Sequence, residues 1–159
     1  MLYRKTIATL SPSIFFLTGC FSASMNVRPV SGDLPKFICI KENPKVAVDD
    51  FVPVIQHLLF GHGIQSEVFE ETKEAPEKCG HILTYVAWRR WDVVPFLYQA
   101  DLRLMRRSGE ILASASYTGG GGFNFSKFAG TETKMAPVID ALLGKTSVKQ
   151  LSPETDDAK

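Results

Sequence analysis

Apolar residues recur at helical spacing in two parts of this chain, so that each set lies along one face of a helix. The first set is Phe51, Val54, Ile55, Leu58 and Leu59, and the second is Met135, Val138, Ile139, Leu142 and Leu143. We therefore predict two amphipathic helices. Gly61 and Gly63 follow the first stripe and Gly144 follows the second, at positions where glycine favours the end of a helix.

Shorter segments with strand-like patterns precede and separate these helices. Phe37 to Ile40 is a short apolar run, and a second short strand is predicted over residues 65–70. Three further strands are predicted over residues 81–91, 98–105 and 111–117. Because Asp92 to Pro95 predicts a turn and Ser108-Gly109 a tight hairpin, these three strands form an antiparallel meander.

The predicted order of elements is β-α-β-β-β-β-α. Two amphipathic helices that cover one face of a mainly antiparallel sheet of four to five strands make a two-layer sandwich, so the fold class is α+β. Residues 36–144 form this single globular domain, which has an ordinary domain size. The polar residues 145–159 are predicted to form a disordered tail.

The amino-terminal segment has the pattern of an export signal. Arg4 and Lys5 precede an apolar run over residues 6–17, which is too short for a permanent span because a membrane helix needs about 20 apolar residues. Leu17-Thr18-Gly19-Cys20 then matches the pattern that lipoprotein signal peptidase accepts in bacterial lipoproteins. By this resemblance residues 1–19 are a signal peptide and Cys20 is lipidated. The alternatives are an ordinary secretory signal with a chance cysteine and a poor amino-terminal helix.

Lipidation of Cys20 implies a location for the mature protein. One acyl chain binds a membrane only marginally, so the three chains of a bacterial lipoprotein make a lasting anchor. Residues 20–35 are aperiodic and contain Ser, Gly and Pro, which predicts a flexible tether. Phe21 follows Cys20. By resemblance to the sorting rule of enteric bacteria, in which Asp at this position favours the inner membrane, we expect an outer-membrane lipoprotein that faces the periplasm.

The charge of the chain excludes one class of partner. The whole chain has 18 Lys plus Arg against 17 Asp plus Glu. Removal of the signal peptide takes Arg4 and Lys5 with it, so the mature chain has a formal charge of −1. Nucleic-acid binding requires a clustered basic surface, and this chain has none in its sequence. We therefore expect no nucleic-acid partner.

Two cysteines, Cys39 and Cys79, remain in the mature chain besides Cys20. An exported protein enters an oxidising compartment, in which thiols tend to pair. A bridge between them closes a loop of about 40 residues and contributes about 3–4 kcal/mol on the loop-entropy model. The alternative is that both are buried free thiols on separate strands.

The sequence contains no recognisable catalytic or metal-binding motif. His57, His62 and His81 do not have the spacing of metal ligands, and there is no Gly-x-Ser-x-Gly nucleophile motif. The run Gly119 to Gly122 lacks the Lys-Ser/Thr pair of a phosphate-binding loop. We therefore predict a protein that is not an enzyme, with no catalytic residue, no metal and no cofactor.

One segment, Trp88-Arg89-Arg90-Trp91, combines the residue types that are enriched at protein interfaces. Phe123 and Phe125 add aromatic side chains in the Gly-rich corner that follows the meander. Arg89, Trp91, Phe123 and Phe125 therefore form a candidate interaction patch. The alternative is core packing, with a Trp under the helices and an Arg side chain lying over its partner.

Several short motifs are distributed along the domain. They are Glu42-Asn43-Pro44, His62-Gly63, Cys79, Tyr85, Ala87-Trp88, Trp91-Asp92, Ala100, Tyr117 and Asn124 to Phe128. In these residues the chain from Ile38 to Leu143 resembles a family of small Gram-negative lipoproteins of unknown function. The order of elements is also similar to that of the amino-terminal domain of the Tol–Pal protein TolB and of lipoprotein activators of peptidoglycan synthases. Similarity at the level of fold does not imply a shared function.

These features favour a lipid-anchored binding or accessory module that contacts another envelope component. Its expected partners are the membrane, through the lipid anchor, and an envelope protein. A structural or stress-related envelope lipoprotein without a specific ligand is the alternative, and an enzyme is the least favoured hypothesis.

Overall fold

The computed structural model of this protein describes residues 23–120 and 125–145. The strands are β1 (Ser24–Arg28), β2 (Phe37–Lys41), β3 (Gln65–Phe69), β4 (His81–Asp92), β5 (Val94–Arg106) and β6 (Ile111–Thr118). The helices are α1 (Phe51–Gly61), a short 3-10 helix (Phe125–Phe128) and α2 (Thr131–Leu142). Within the described residues, no helix is both long enough and apolar enough to cross a membrane.

All six strands belong to one sheet, in the order β1-β6-β5-β4-β2-β3. Strand β2 pairs in parallel with β3 and β4, whereas the β4-β5-β6 meander and β1 pair antiparallel. Both helices pack against the same face of the sheet and against each other. The predicted α+β class is therefore confirmed, and the predicted order of elements is correct from β2 to α2.

Strand β1 differs from the flexible tether predicted over residues 20–35. Ser24 to Arg28 pairs with β6 in a register that aligns Ser24 with Thr118 and Arg28 with Ser114. The Val30 N–H then donates to the Leu142 carbonyl at 2.9 Å. The edge of β6 presents backbone N–H and C=O groups that need partners, and an unpatterned segment satisfies them as well as a patterned one. Side-chain periodicity therefore did not predict this strand.

The core lies between the helices and the sheet. Its helical side contains the predicted apolar stripes, of which Phe51, Ile55, Leu59, Met135, Val138, Ile139, Leu142 and Leu143 are buried. Its sheet side contains alternate residues of the central strands, namely Ile38, Ile40, Leu83, Tyr85, Ala87, Ala100, Leu102, Leu104, Ala113, Ala115 and Tyr117. Gly63, Gly109 and Gly144 adopt positive φ at the predicted chain reversals, which glycine tolerates because it has no Cβ.

The segment between β2 and α1 is fixed to strand β4 by Asn43. Its backbone N–H donates to the Tyr85 hydroxyl at 3.2 Å, and its side-chain amide donates to the Tyr85 carbonyl at 3.0 Å. The Tyr85 ring also stacks on Phe51 at the start of α1, with ring centroids 5.2 Å apart. These contacts place the amino-terminal end of α1 beside the middle of β4.

Cys39 and Cys79 are paired, as predicted. Their Cα atoms are 5.6 Å apart, which is within the usual range for a disulfide, and both residues are buried. Cys39 lies in β2, and Cys79 lies in the connection that enters β4 from β3. The bridge therefore ties this connection to β2, beside the place where β4 begins.

We predict that replacement of both Cys39 and Cys79 by Ala lowers the free energy of unfolding by about 4 kcal/mol, because the bridge closes a loop of about 40 residues in the unfolded chain. Urea denaturation of the purified protein measures this loss, and a reductant added to the protein without substitutions serves as the control. Two thiols that react with an alkylating agent in the untreated, denatured protein would contradict the pairing.

Candidate functional site

The β4–β5 hairpin extends beyond the helices that cover the rest of the sheet. In β4, Ala87 is the last buried residue, and each residue from Trp88 to Asp92 is exposed. We call residues Trp91 to Val94 the hairpin tip. Trp91 is 76% exposed and Val93 is 82% exposed. The tip is therefore apolar and in contact with solvent.

A β-bulge separates the tip from the part of the hairpin below it. Trp88 pairs with Gln99 and Arg89 with Leu97, which leaves Tyr98 as an extra residue in β5. Bulges of this kind increase the local twist and redirect the strands beyond them. The Arg90 guanidinium lies over the Tyr98 ring, 3.7 Å from its centroid, and this cation–π contact stabilises the bulge.

The 3-10 helix is attached to one side of the hairpin. Phe128 packs edge-on against Phe96 of β5, with ring centroids 5.8 Å apart, and Lys127 forms an ion pair with Asp92 in the tip. Phe125 belongs to the same 3-10 helix as Lys127 and Phe128. These two contacts therefore also place Phe125 close to the base of the tip. Phe125 is 82% exposed, so it adds to the apolar surface at this end of the domain.

Lys134 of α2 connects the helix layer to this assembly. Its side chain is buried, and its ammonium group donates hydrogen bonds to the carbonyl oxygens of Leu97, at 2.9 Å, and of Lys127. The same ammonium lies 5.3 Å from the centroid of the Phe96 ring. Burial lowers the pKa of the Lys134 ammonium, because the charged form loses hydration. One side chain thus braces β5 and the 3-10 helix against α2.

The predicted interaction patch is only partly brought together. Trp91 and Phe125 lie at the same end of the domain, on elements that the Asp92–Lys127 ion pair joins. Arg89 instead forms an ion pair with Asp50, at a distance of 3.6 Å. Both residues line a groove of about 390 Å³ between α1 and the hairpin. Phe123 lies outside the described residues, as does Cys20.

The core-packing alternative for Trp91 is wrong, because its side chain is exposed and neither α1 nor α2 covers this part of β4. Trp88 lies on the sheet face away from the helices and is half exposed. The arginine that covers an aromatic ring is Arg90, and the ring is that of Tyr98 rather than of a tryptophan. Asp50, which immediately precedes α1, makes no side-chain capping hydrogen bond and faces Arg89 instead.

The turn at the hairpin tip was predicted from the sequence, but the positive φ of Val93 within it was not. Val93 has a φ of 59°, in the left-handed region that a β-branched residue rarely adopts. Glycine or asparagine is the usual residue at such a position. The predicted turn Asp92-Val93-Val94-Pro95 contains neither glycine nor asparagine, and this absence was the sign of a strained backbone position. Val93 therefore combines backbone strain with an exposed apolar side chain.

Two histidines of the described residues each face a carboxylate on α2. His62 lies 2.7 Å from Asp140, and His57 lies 3.8 Å from Glu132, which links the two helices. Among residues 23–120 and 125–145, no group of three or more His, Cys, Asp or Glu side chains is arranged to hold a metal ion.

Comparison with known proteins bears on the fold alone. No family model and no curated protein matches the chain. Among solved structures, the dodecamer of a PelC point variant from Paraburkholderia phytofirmans has a similar fold, with a TM-score of 0.53 and 13% sequence identity. The match covers 77% of this chain and 96% of that chain. The predicted resemblances to the lipoprotein family, to TolB and to the synthase activators stay predictions.

We predict that the stability of the protein rises with pH as Lys134 loses its proton. Its pKa in the folded state is below the ordinary 10.5, so between these two values the unfolded chain binds more protons than the folded chain. Lys134→Met should flatten this rise when urea unfolding is measured at a series of pH values from neutral to just below 10. The range stops there because burial raises the pKa of Tyr85 and Tyr117, so their ionisation destabilises the fold above 10. Equal pH slopes in both proteins would contradict the assignment.

We predict that Val93→Asn raises the free energy of unfolding by about 1 kcal/mol, because asparagine tolerates positive φ at less cost than valine. Val94→Asn is the matched control, since Val94 is also exposed but lies in strand β5. This control should be neutral or destabilising, because asparagine is disfavoured in strands. Thermal or urea unfolding of both variants measures the difference, and a loss of stability in Val93→Asn would argue against strain at the tip.

Proposed function

We propose that this protein is a lipid-anchored envelope lipoprotein whose folded domain is a non-catalytic binding or accessory module. The lipid on Cys20 holds it at the outer membrane, where it faces the periplasm. The hairpin tip and Phe125 are the surface through which the domain contacts another envelope component.

The observation that carries this proposal is the exposure of Trp91 and Phe125 on a braced support. Trp91 is 76% exposed and Phe125 is 82% exposed. Exposed apolar patches on soluble domains mark interaction surfaces. The Lys134 hydrogen bonds, the Phe96–Phe128 contact and the Asp92–Lys127 ion pair restrict the motion of this surface before it binds. Such preorganisation lowers the entropic cost of binding.

A second candidate is a structural envelope lipoprotein that assembles with copies of itself. The similar PelC fold occurs in a dodecamer, so a fold of this kind is compatible with a closed assembly. In this case the sheet edges or the uncovered sheet face form the contact, and the hairpin tip is dispensable. Light scattering of the purified mature protein gives the oligomeric state and favours this candidate if a single oligomer is observed.

Photo-crosslinking in intact cells tests the binding module. A benzophenone amino acid replaces Trp91 in one variant and Phe60 in the other. Phe60 is the matched control because it is also aromatic and 72% exposed, but it lies at the carboxyl end of α1. We expect a specific adduct from position 91 and none from position 60. Equal labelling at the two positions, or no adduct at position 91, would reject the tip as the contact surface.

The anchor is tested separately. Cys20→Ser removes the atom that carries the lipid, so we expect this variant to leave the membrane fraction and appear in the soluble fraction. Fractionation followed by immunoblotting measures the change, and Cys39→Ser is the control for loss of a cysteine as such. If Cys20→Ser still sediments with membranes, the lipid anchor is wrong.

A further inference from the structure

The register of the sheet places the start of the domain at the same end as the hairpin tip. Ser24 pairs with Thr118, Thr118 with Gln99, and Gln99 with Trp88, so these residues form one row across β1, β6, β5 and β4. Strand β4 runs upward from this row to the tip. Strand β1 runs downward from it, because each neighbouring pair in this part of the sheet is antiparallel. The chain therefore enters the domain from the side on which the tip projects.

Covalent geometry limits how far the lipid lies from this row. Cys20 precedes Ser24 by four residues, and four residues span at most about 14 Å. Val93 is five residues beyond Trp88, so the tip projects about 16 Å above the row at the usual strand rise. The lateral separation is three strand spacings, or about 14 Å. The lipid attachment point and the tip are therefore able to reach the same flat surface.

The tip also has the chemistry of a segment that lies at a membrane interface. Tryptophan is enriched at the level of the lipid headgroups, because its ring is apolar and its N–H is polar. Val93, Val94 and Phe125 add apolar side chains, and Arg90 supplies a cation below them for phospholipid phosphates. The Asp92 carboxylate, which a phosphate surface would repel, is paired with Lys127.

The backbone strain at Val93 also supports a contact of the tip with a membrane. A valine at positive φ is less stable than an asparagine or glycine would be, and its exposed side chain contributes little to packing within the domain. Contact of this side chain with an apolar environment outside the domain would offset that cost.

We propose that the hairpin tip and Phe125 insert into the headgroup region of the same membrane that holds the lipid anchor. The domain then has two membrane contacts, one covalent and one non-covalent, and a fixed orientation in which β1 and the β4–β5 hairpin stand on the bilayer. This inference rests on the lipid anchor of the proposed function and names the bilayer as the component that the tip contacts.

Fluorescence quenching by brominated lipids tests this contact in the lipidated, full-length mature protein. The chain has two tryptophans, so Trp88→Phe leaves Trp91 as the sole tryptophan. The protein is reconstituted in vesicles of phosphatidylethanolamine and phosphatidylglycerol whose acyl chains carry bromine near the headgroup. We expect a blue shift of Trp91 emission and a loss of its intensity relative to vesicles without bromine.

The matched control moves the fluorophore to the opposite end of the domain. In a Trp88→Phe, Trp91→Phe background, Phe60→Trp places the sole tryptophan at another exposed position, and we expect no bromine quenching there. Equal quenching at positions 91 and 60, or none at 91, overturns the inference. In intact cells, a protein adduct rather than a phospholipid adduct from the photo-crosslinker at position 91 also overturns it.

Val93→Asn in the Trp88→Phe background separates membrane contact from a structural role. This variant should retain or increase the stability of the domain and yet lose part of the bromine quenching of Trp91, because a polar amide disfavours insertion. Quenching of Trp91 that persists unchanged in this variant would mean that the Val93 side chain takes no part in the membrane contact. A folded state confirmed by thermal unfolding accompanies each measurement.

Different results would reject the lipid anchor on Cys20 and the membrane contact of the hairpin tip. Mass spectrometry of the mature protein reports whether Cys20 carries lipid. A lipidated protein with unquenched Trp91 keeps the anchor and loses the second contact. An unlipidated protein that still binds vesicles with quenched Trp91 keeps the second contact and loses the anchor.

Discussion

The pairing of β4 with β5 is the interaction on which the rest of this structure depends. These two strands are the longest in the domain, at 12 and 13 residues, and they occupy the middle of the sheet. Their lower halves present Leu83, Tyr85, Leu102 and Leu104 to the helices and so form the floor of the core. Their upper halves continue past the helices as the hairpin tip. A single pair of strands therefore provides both the stability of the fold and its exposed apolar surface.

The transition between these two roles occurs at the bulge. Below it, alternation places one face of β4 in the core. At the bulge, Tyr98 is an extra residue whose ring lies under Arg90, and beyond it each residue of β4 from Arg89 to Asp92 is exposed. The contacts that hold the upper part are few but directional, because a buried ammonium, an edge-on aromatic pair and an ion pair each require a defined geometry. Exposed apolar side chains are thus held in place by a few directional contacts beneath them.

The helices and the meander could be predicted from periodicity, because each buries one face against the core and that burial requires the spacing seen in Phe51, Ile55 and Leu59 or in Leu102 and Leu104. Strand β1 could not, since backbone hydrogen bonds to β6 hold it and impose no side-chain pattern. The candidate site was half predicted. Trp91 and Phe125 were identified by residue type, whereas Arg89 is engaged by Asp50 and Lys134 was overlooked as an ordinary helix residue.

The sequence alone determined the α+β class and the order of elements from β2 to α2, because local periodicity decides these properties. It favoured the pairing of Cys39 with Cys79 through thiol chemistry, and the tertiary structure decided that pairing. The tertiary structure decided which parts of that pattern are covered. Helices α1 and α2 have 11 and 12 residues, but a helix rises less than half as far per residue as a strand. They therefore do not reach the end of the 12-residue strand β4, and Trp91 and Val93 lie beyond them. The sheet register then placed the start of β1 at that same end. Both facts depend on long-range backbone pairing, which leaves no periodic trace in the sequence.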